Sequence, residues 1–202
     1  MPARRRARAR IRAGGRALAA AAIVLGLAVG GGVVAEPARA STDAAAPAAA
    51  DAPAVVDLGV ADAVALLDAG STTSVALTRA YLARIAAYDD RDAAGPGLQA
   101  VITTNPDALA TAATLDAERA TGTIRGPLHG VPIVVKDNHA TADMPTTVGS
   151  AALRDYRTTA DSTAVARLRV AGAIILAKTN MSEFAWHGTY TLGSARGRTA
   201  NP

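Results

Sequence analysis

From Val55 onward the apolar positions fall first at helical and then at strand spacing, and that alternation marks out the elements. Val60 to Leu67 predicts a short helix ended by Gly70. The hydroxyl run Ser71-Thr72-Thr73-Ser74 offers N-caps for a second helix reaching about Tyr88. Val75, Leu77, Leu82 and Ile85 give that helix a broad apolar face, while Arg79 and Arg84 fall largely on the other side. Asp89 to Gly97 is a polar turn, and the β-branched run Gln99 to Thr103 predicts a short strand. Pro106 suits the first turn of a third helix through Ala120, with Asp107 at its positive end. Gly122, Gly126, Pro127, Gly130 and Pro132 then punctuate a loop. It feeds Ile133-Val134-Val135, an unbroken apolar run that predicts a strand buried on both faces. Ser162 to Val170 predicts a further helix, closed by Ala171-Gly172, and Ala173 to Ala177 predicts a second buried strand. Helices alternate with buried strands, which is the α/β class, and no internal repeat is apparent.

The residues before Val55 have a different grammar. An Arg cluster between Arg4 and Arg16 precedes an uncharged stretch from Ala17 to Ala35, and Ala38-Arg39-Ala40 follows. A basic region, an apolar region and a small-x-small site in that order predict a signal peptide over residues 1–40 and hence export to the periplasm or the exterior. The alternative is an uncleaved anchor, which the glycines at 26 and 30–32 weaken. Arg pairs are present, yet no bulky apolar residue follows them closely, so a twin-arginine route has less support than general secretion. Residues 41–54, rich in Ala, Pro and Asp, predict a flexible linker, leaving 55–202 as the folded part.

Setting the leader aside reverses the charge. Eight of the 21 Lys and Arg and one of the 17 Asp and Glu lie in residues 1–40. The remainder carries 13 basic against 16 acidic side chains, a net of −3. No nucleic-acid partner and no stable membrane partner after cleavage are therefore expected. The absence of cysteine excludes disulfides, a cysteine nucleophile and thiolate metal sites. GGG at 30–32 lies in the leader and lacks the Lys-Ser/Thr of a phosphate loop.

The chain has only two lysines, Lys136 and Lys178, and each ends a predicted strand. Open α/β sheets place ligands at the C-terminal ends of their strands. A lysine there can lose its proton through desolvation and so serve as a general base. The plainer reading is a solvated lysine paired with Asp137. His129 and His139 flank Lys136, and His187 comes much later; with no HExxH-type spacing, neither a metal site nor a cofactor is expected. His129 is expected to order the Gly-Pro loop, and Asn138 to serve a turn. Thr179-Asn180-Met181-Ser182 reads as a helix N-cap, with pocket lining as the alternative.

Residues 126–138, GPLHGVPIVVKDN, resemble the lysine segment of the amidase signature family. MPTTVGS (144–150) and AGAIILAKTNMSEFA (171–185) are similar to that family's following blocks, in the same order. Upstream, LTRAYLARIAAYD and LQAVITTNPDALATAATLDAERATG are similar to its N-terminal helices and first strand, so the likeness covers residues 55–202. The resemblance implies a mixed sheet flanked by helices and a Ser–cis-Ser–Lys triad acting on a small-molecule or peptide amide. Lys136 would be the base, taking a proton from a bridging serine that activates the nucleophile. An acyl-enzyme and an oxyanion held by backbone N–H groups follow. Lys178 is left a structural or site-supporting role. In the family both serines follow a segment like SARGRTANP, where this sequence stops. The expectation is thus the N-terminal part of an amidase domain, incomplete at its C-terminus and inactive alone, with a non-catalytic remnant of the fold as the alternative.

Overall fold

The computed structural model describes residues 53–90 and 97–201. The predicted signal peptide and most of the linker lie outside the described residues. In chain order the main elements are α1 (Val60–Asp68), α2 (Ser74–Tyr88), β1 (Val101–Thr104), α3 (Ala108–Ala120), β2 (Pro132–Lys136), α4 (Thr163–Val170) and β3 (Ile174–Thr179). A hairpin of β4 (Leu192–Gly193) and β5 (Gly197–Arg198) follows, and single 3-10 turns occupy Ala151–Leu153 and Glu183–Ala185.

Local chemistry explains most of the boundaries. The Thr73 hydroxyl accepts from the Ala76 N–H at 3.0 Å and caps α2. The Asp116 carboxylate on α3 accepts from the N–H groups of Ser74 and Val75 at 2.7 and 3.0 Å. One side chain therefore neutralises the positive end of α2 and ties two helices together. Ser162 caps α4, as its place in the sequence suggests. β1 starts at Val101 and not at Gln99, because Gln99 takes a positive φ of 54° that no strand accommodates. α3 starts two residues after Pro106, since Asn105 Oδ1 accepts from the Asp107 N–H in a local turn.

β1, β3 and β2 form a mixed sheet in that order, with β3 central, antiparallel to β1 and parallel to β2. Helix α4 bridges the parallel pair as a βαβ unit. Along β3 the side chains serve both faces. Ile174 and Leu176 pack with Ala108, Ala112 and Leu115 of α3, and with Val75, Tyr81, Leu82 and Ile85 of α2. Ile175 turns the other way, toward Val135, Met144, Val165 and Leu168. A third cluster sets Leu67 of α1 and Leu77 of α2 against Val131.

Burial on both faces belongs to β3 and does not extend to β2. Val135 is buried, but Val134 is 46 % exposed. The reason is topological: among the described residues β2 is a margin of the sheet. Its outward face has no layer over it comparable to the helices that cover β3. Among the described residues no helix is long and apolar enough to cross a membrane.

Candidate active site

The C-terminal ends of β2 and β3 lie side by side, with Val135 opposite Lys178 and Lys136 opposite Thr179. After Lys136 the chain turns at once. The Asp137 N–H donates to the Thr179 carbonyl at 3.1 Å, and the His139 N–H donates to the Lys136 carbonyl at 2.9 Å. Successive side chains alternate, so Lys136 points outward and Asp137 inward. Lys136 is exposed, and among the described residues its ammonium has no carboxylate or hydrogen-bond partner. Asp137 is fully buried.

Asp137 is paired with Lys178, not with its neighbour Lys136. Lys178 Nζ lies 3.3 Å from Asp137 Oδ1 and donates to the Pro145 carbonyl at 3.2 Å and the Thr146 hydroxyl at 3.1 Å. Asp137 Oδ1 has no aligned hydrogen bond, so the contact is an ion pair in character. Asp137 Oδ2 accepts from the Thr147 hydroxyl at 2.5 Å and the Gly149 N–H at 3.2 Å. Both charges are inaccessible to water. Burial pushes the Lys178 ammonium below the ordinary lysine range, and the attraction of Asp137 and then Asp143 pulls it partly back.

The pair grips the segment 145–149 between the two strand ends. That segment reverses sharply, with φ 54° at Val148 and 76° at Gly149. A Cβ on Gly149 would sit 2.8 Å from the Met181 carbonyl, so glycine is required by both conformation and space. The strand that leaves β3 closes over this turn. The Phe184 N–H donates to the Val148 carbonyl at 2.9 Å, and the Ala195 N–H donates to the Gly149 carbonyl at 3.1 Å. Glu183, its carboxyl held below the usual range by the Ser150 hydroxyl and then by Ser194, fastens the same corner.

Sequence reasoning placed several of these residues correctly. His129 is buried; its Nδ1 accepts from the Arg125 N–H and its Nε2 donates to the Leu115 carbonyl, so it orders the Gly-Pro loop. Asn138 sits exposed in the turn after β2. His187 is exposed and stacks on Tyr190 at 4.2 Å. Among the described residues no group of three or more His, Cys, Asp or Glu could hold a metal.

Other roles differ from expectation. Ser182 does precede a helical turn, but its hydroxyl bonds the His187 backbone and caps nothing. Asn180 donates to the Gln99 and Gly197 carbonyls and to the Thr199 hydroxyl, which pins the β4–β5 hairpin to the entrance of β1. The buried role of Asp137 is the residue assignment that spacing alone missed. The available signal was two strand-end lysines with a single acidic residue directly after one of them.

A mixed sheet with helices on both faces and a lysine at a strand's C-terminal end defines an α/β protein with its chemistry at the sheet rim. Residues 76–202 match the Amidase family, and the chain belongs to it. It is 47 % identical over 129 residues to the amidase-related subunit of the glutamyl-tRNA(Gln) amidotransferase from Salinispora tropica, a match that covers 63 % of this chain and 25 % of the relative. Among solved structures it resembles the native peptide amidase of Stenotrophomonas maltophilia (TM-score 0.66, 48 % identity, 72 % of this chain and 30 % of that one). It also resembles an amidase family protein of Bacillus anthracis (TM-score 0.65, 36 % identity, 73 % and 29 %). The chain thus spans about a quarter of the length of the curated relatives it matches.

Proposed function

We propose that this chain is the lysine-bearing N-terminal part of an exported amidase that hydrolyses the C–N bond of a small-molecule or peptide amide through a serine acyl-enzyme. Lys136 is the general base of that reaction. One observation carries the reading: within the segment similar to the family's lysine block, Lys136 stands at the end of β2 with its ammonium unpartnered among the described residues. The neighbouring carboxylate that would have held it as a salt bridge is engaged elsewhere. A base needs a free amine aimed at incoming substrate groups, and this position leaves the amine available.

Family membership and the named relatives support action on an amide bond. Export rests on the N-terminal sequence alone; the net charge of −3 over residues 41–202, from 13 basic and 16 acidic side chains, offers no electrostatic footprint for nucleic acid. In the complete protein, Lys136→Ala should lower kcat by about 10²- to 10⁴-fold with little change in KM. An unchanged kcat would remove Lys136 from the mechanism. N-terminal sequencing of material recovered outside the cytoplasm should begin at Ser41; a Met1 terminus there would refute cleavage.

A second reading, a non-catalytic remnant of the fold, is favoured by a different observation. Among the described residues no serine hydroxyl is hydrogen-bonded to Lys136. Ser162 caps a helix, Ser182 bonds the His187 backbone and Ser194 accepts from the Ala151 N–H. The 202-residue chain alone should therefore turn over no amide. Turnover that survives Lys136→Ala would contradict both readings.

A further inference from the structure

We infer that Asp137 and Lys178 form a positioning pair that withholds a counter-ion from Lys136 and fixes the direction in which Lys136 leaves β2. The inference rests on the proposed role of Lys136 as the base, and it assigns that role two supporting residues. Asp137 follows Lys136 directly in the chain and would be its natural ion-pair partner. Its carboxylate is instead buried, with Oδ2 taken by Thr147 and Gly149 and Oδ1 facing the Lys178 ammonium at 3.3 Å. With its charge balanced by Lys178, Asp137 gives Lys136 no net anion to stabilise its protonated form.

The backbone adds a mechanical constraint. Lys136 lies between two fixed points: the β2–β3 register behind it and the buried Asp137 ahead of it. The Asp137 N–H and the Lys136 carbonyl are both bonded, to Thr179 and His139. Lys178 simultaneously holds Pro145 and Thr146, so the turn at 147–149 and the base are referenced to one pair of charges.

The other charged groups around the pair are few. Asp143 acts on Lys178 from the side of α4, but it is itself bound to Arg169 at 2.6 Å, which also binds Asp161 at 2.8 Å. His139 lies in the turn that follows Lys136. None of these compensates Asp137 if Lys178 is lost.

The test reads the protonation of Lys136 directly and needs no catalytic activity. In the complete protein, pulse acetylation across a pH series, resolved by peptide mass spectrometry, reports the two lysines separately. Lys178→Met leaves an unbalanced carboxylate beside Lys136 and should raise the pH midpoint for its labelling by roughly one unit. Asp137→Asn removes the anion and should lower that midpoint or leave it in place. If Lys178→Met does not fold, Lys178→Gln removes the same charge while keeping a donor for Pro145.

No rise on neutralising Lys178, or a rise with Asp137→Asn as well, overturns the inference. The double variant Asp137→Asn/Lys178→Met should keep the wild-type midpoint and lower kcat by up to about 100-fold at unchanged KM, through misplacement of the base. Wild-type kcat in that double variant overturns the positioning role. Should Lys136→Ala keep full activity while the labelling midpoints move as described, the base assignment fails and the electrostatic coupling stands, so the two failures are distinguishable.

Discussion

The ends of β2 and β3 are adjacent in one sheet, each reached through an apolar run and each closed by one of the chain's two lysines, yet the two lysines live in opposite environments. Lys136 is exposed with a free ammonium among the described residues, whereas Lys178 is wholly inaccessible and paired with Asp137. Local sequence does not separate them, since PIVVK and IILAKT have nearly the same character. Sheet order does. β3 is central and covered by α2 and α3 on one face and α4 on the other, while β2 is marginal among the described residues. A charge at the end of a central strand must bring its counter-ion inside, and a charge at the end of a marginal strand need not. The same topology frees one amine for chemistry and commits the other to structure.

The largest expected effect breaks the buried side of this contrast. Lys178→Met should destabilise the complete protein by about 3–5 kcal/mol, because it strands a buried carboxylate. Denaturant unfolding measures it, and a loss under about 1 kcal/mol would mean that the carboxylate is not committed to Lys178. A smaller loss follows when one of the other supports of Asp137 goes. Thr147→Val is nearly isosteric and removes the 2.5 Å hydroxyl donor, so a cost of about 1–3 kcal/mol is expected.

That contrast also marks where sequence reading succeeded. The helices α2, α3 and α4 and the strand β3 were legible, because apolar spacing and the cap residues Thr73 and Ser162 act within a few positions of one another. Lys136 was singled out by the block GPLHGVPIVVKDN, and His129 by its Gly-Pro surroundings. What could not be read depends on contacts distant in the chain. The exposure of Val134 follows from strand order, and the Asp137–Lys178 pair joins residues that approach only when β2 and β3 register. The β4–β5 hairpin consists of two-residue strands, too short for any periodicity, and the Asn180 side chain helps hold it.

A third expectation uses pH to sharpen the difference. Burial holds the folded-state pKa of Lys178 below its unfolded value of 10.5. Between those two values the unfolded chain binds more protons than the folded one, so stability should rise with pH across that window. Below the folded pKa the burial penalty of the ammonium is present in full. It is relieved as pH climbs toward 10.5. The rise should be absent in Lys178→Met, and unfolding free energies compared between wild type and variant across neutral to alkaline pH check the sign. A fall confined to the wild type would mean that pairing with Asp137 outweighs desolvation.

The smallest expected effect belongs to Lys136→Met. An exposed side chain without an ion-pair or hydrogen-bond partner among the described residues has little to lose on folding, so stability should change by no more than about 0.5 kcal/mol. Replacing a cation by a thioether removes no buried contact and leaves the Asp137–Lys178 pair untouched. If catalysis falls by orders of magnitude while stability holds, the lysine was kept for chemistry and not for the fold. A destabilisation as large as that of Lys178→Met would instead place Lys136 in a buried network formed with residues outside 53–90 and 97–201. The two strand ends would then be alike, and the asymmetry between a free amine and a committed one would be lost.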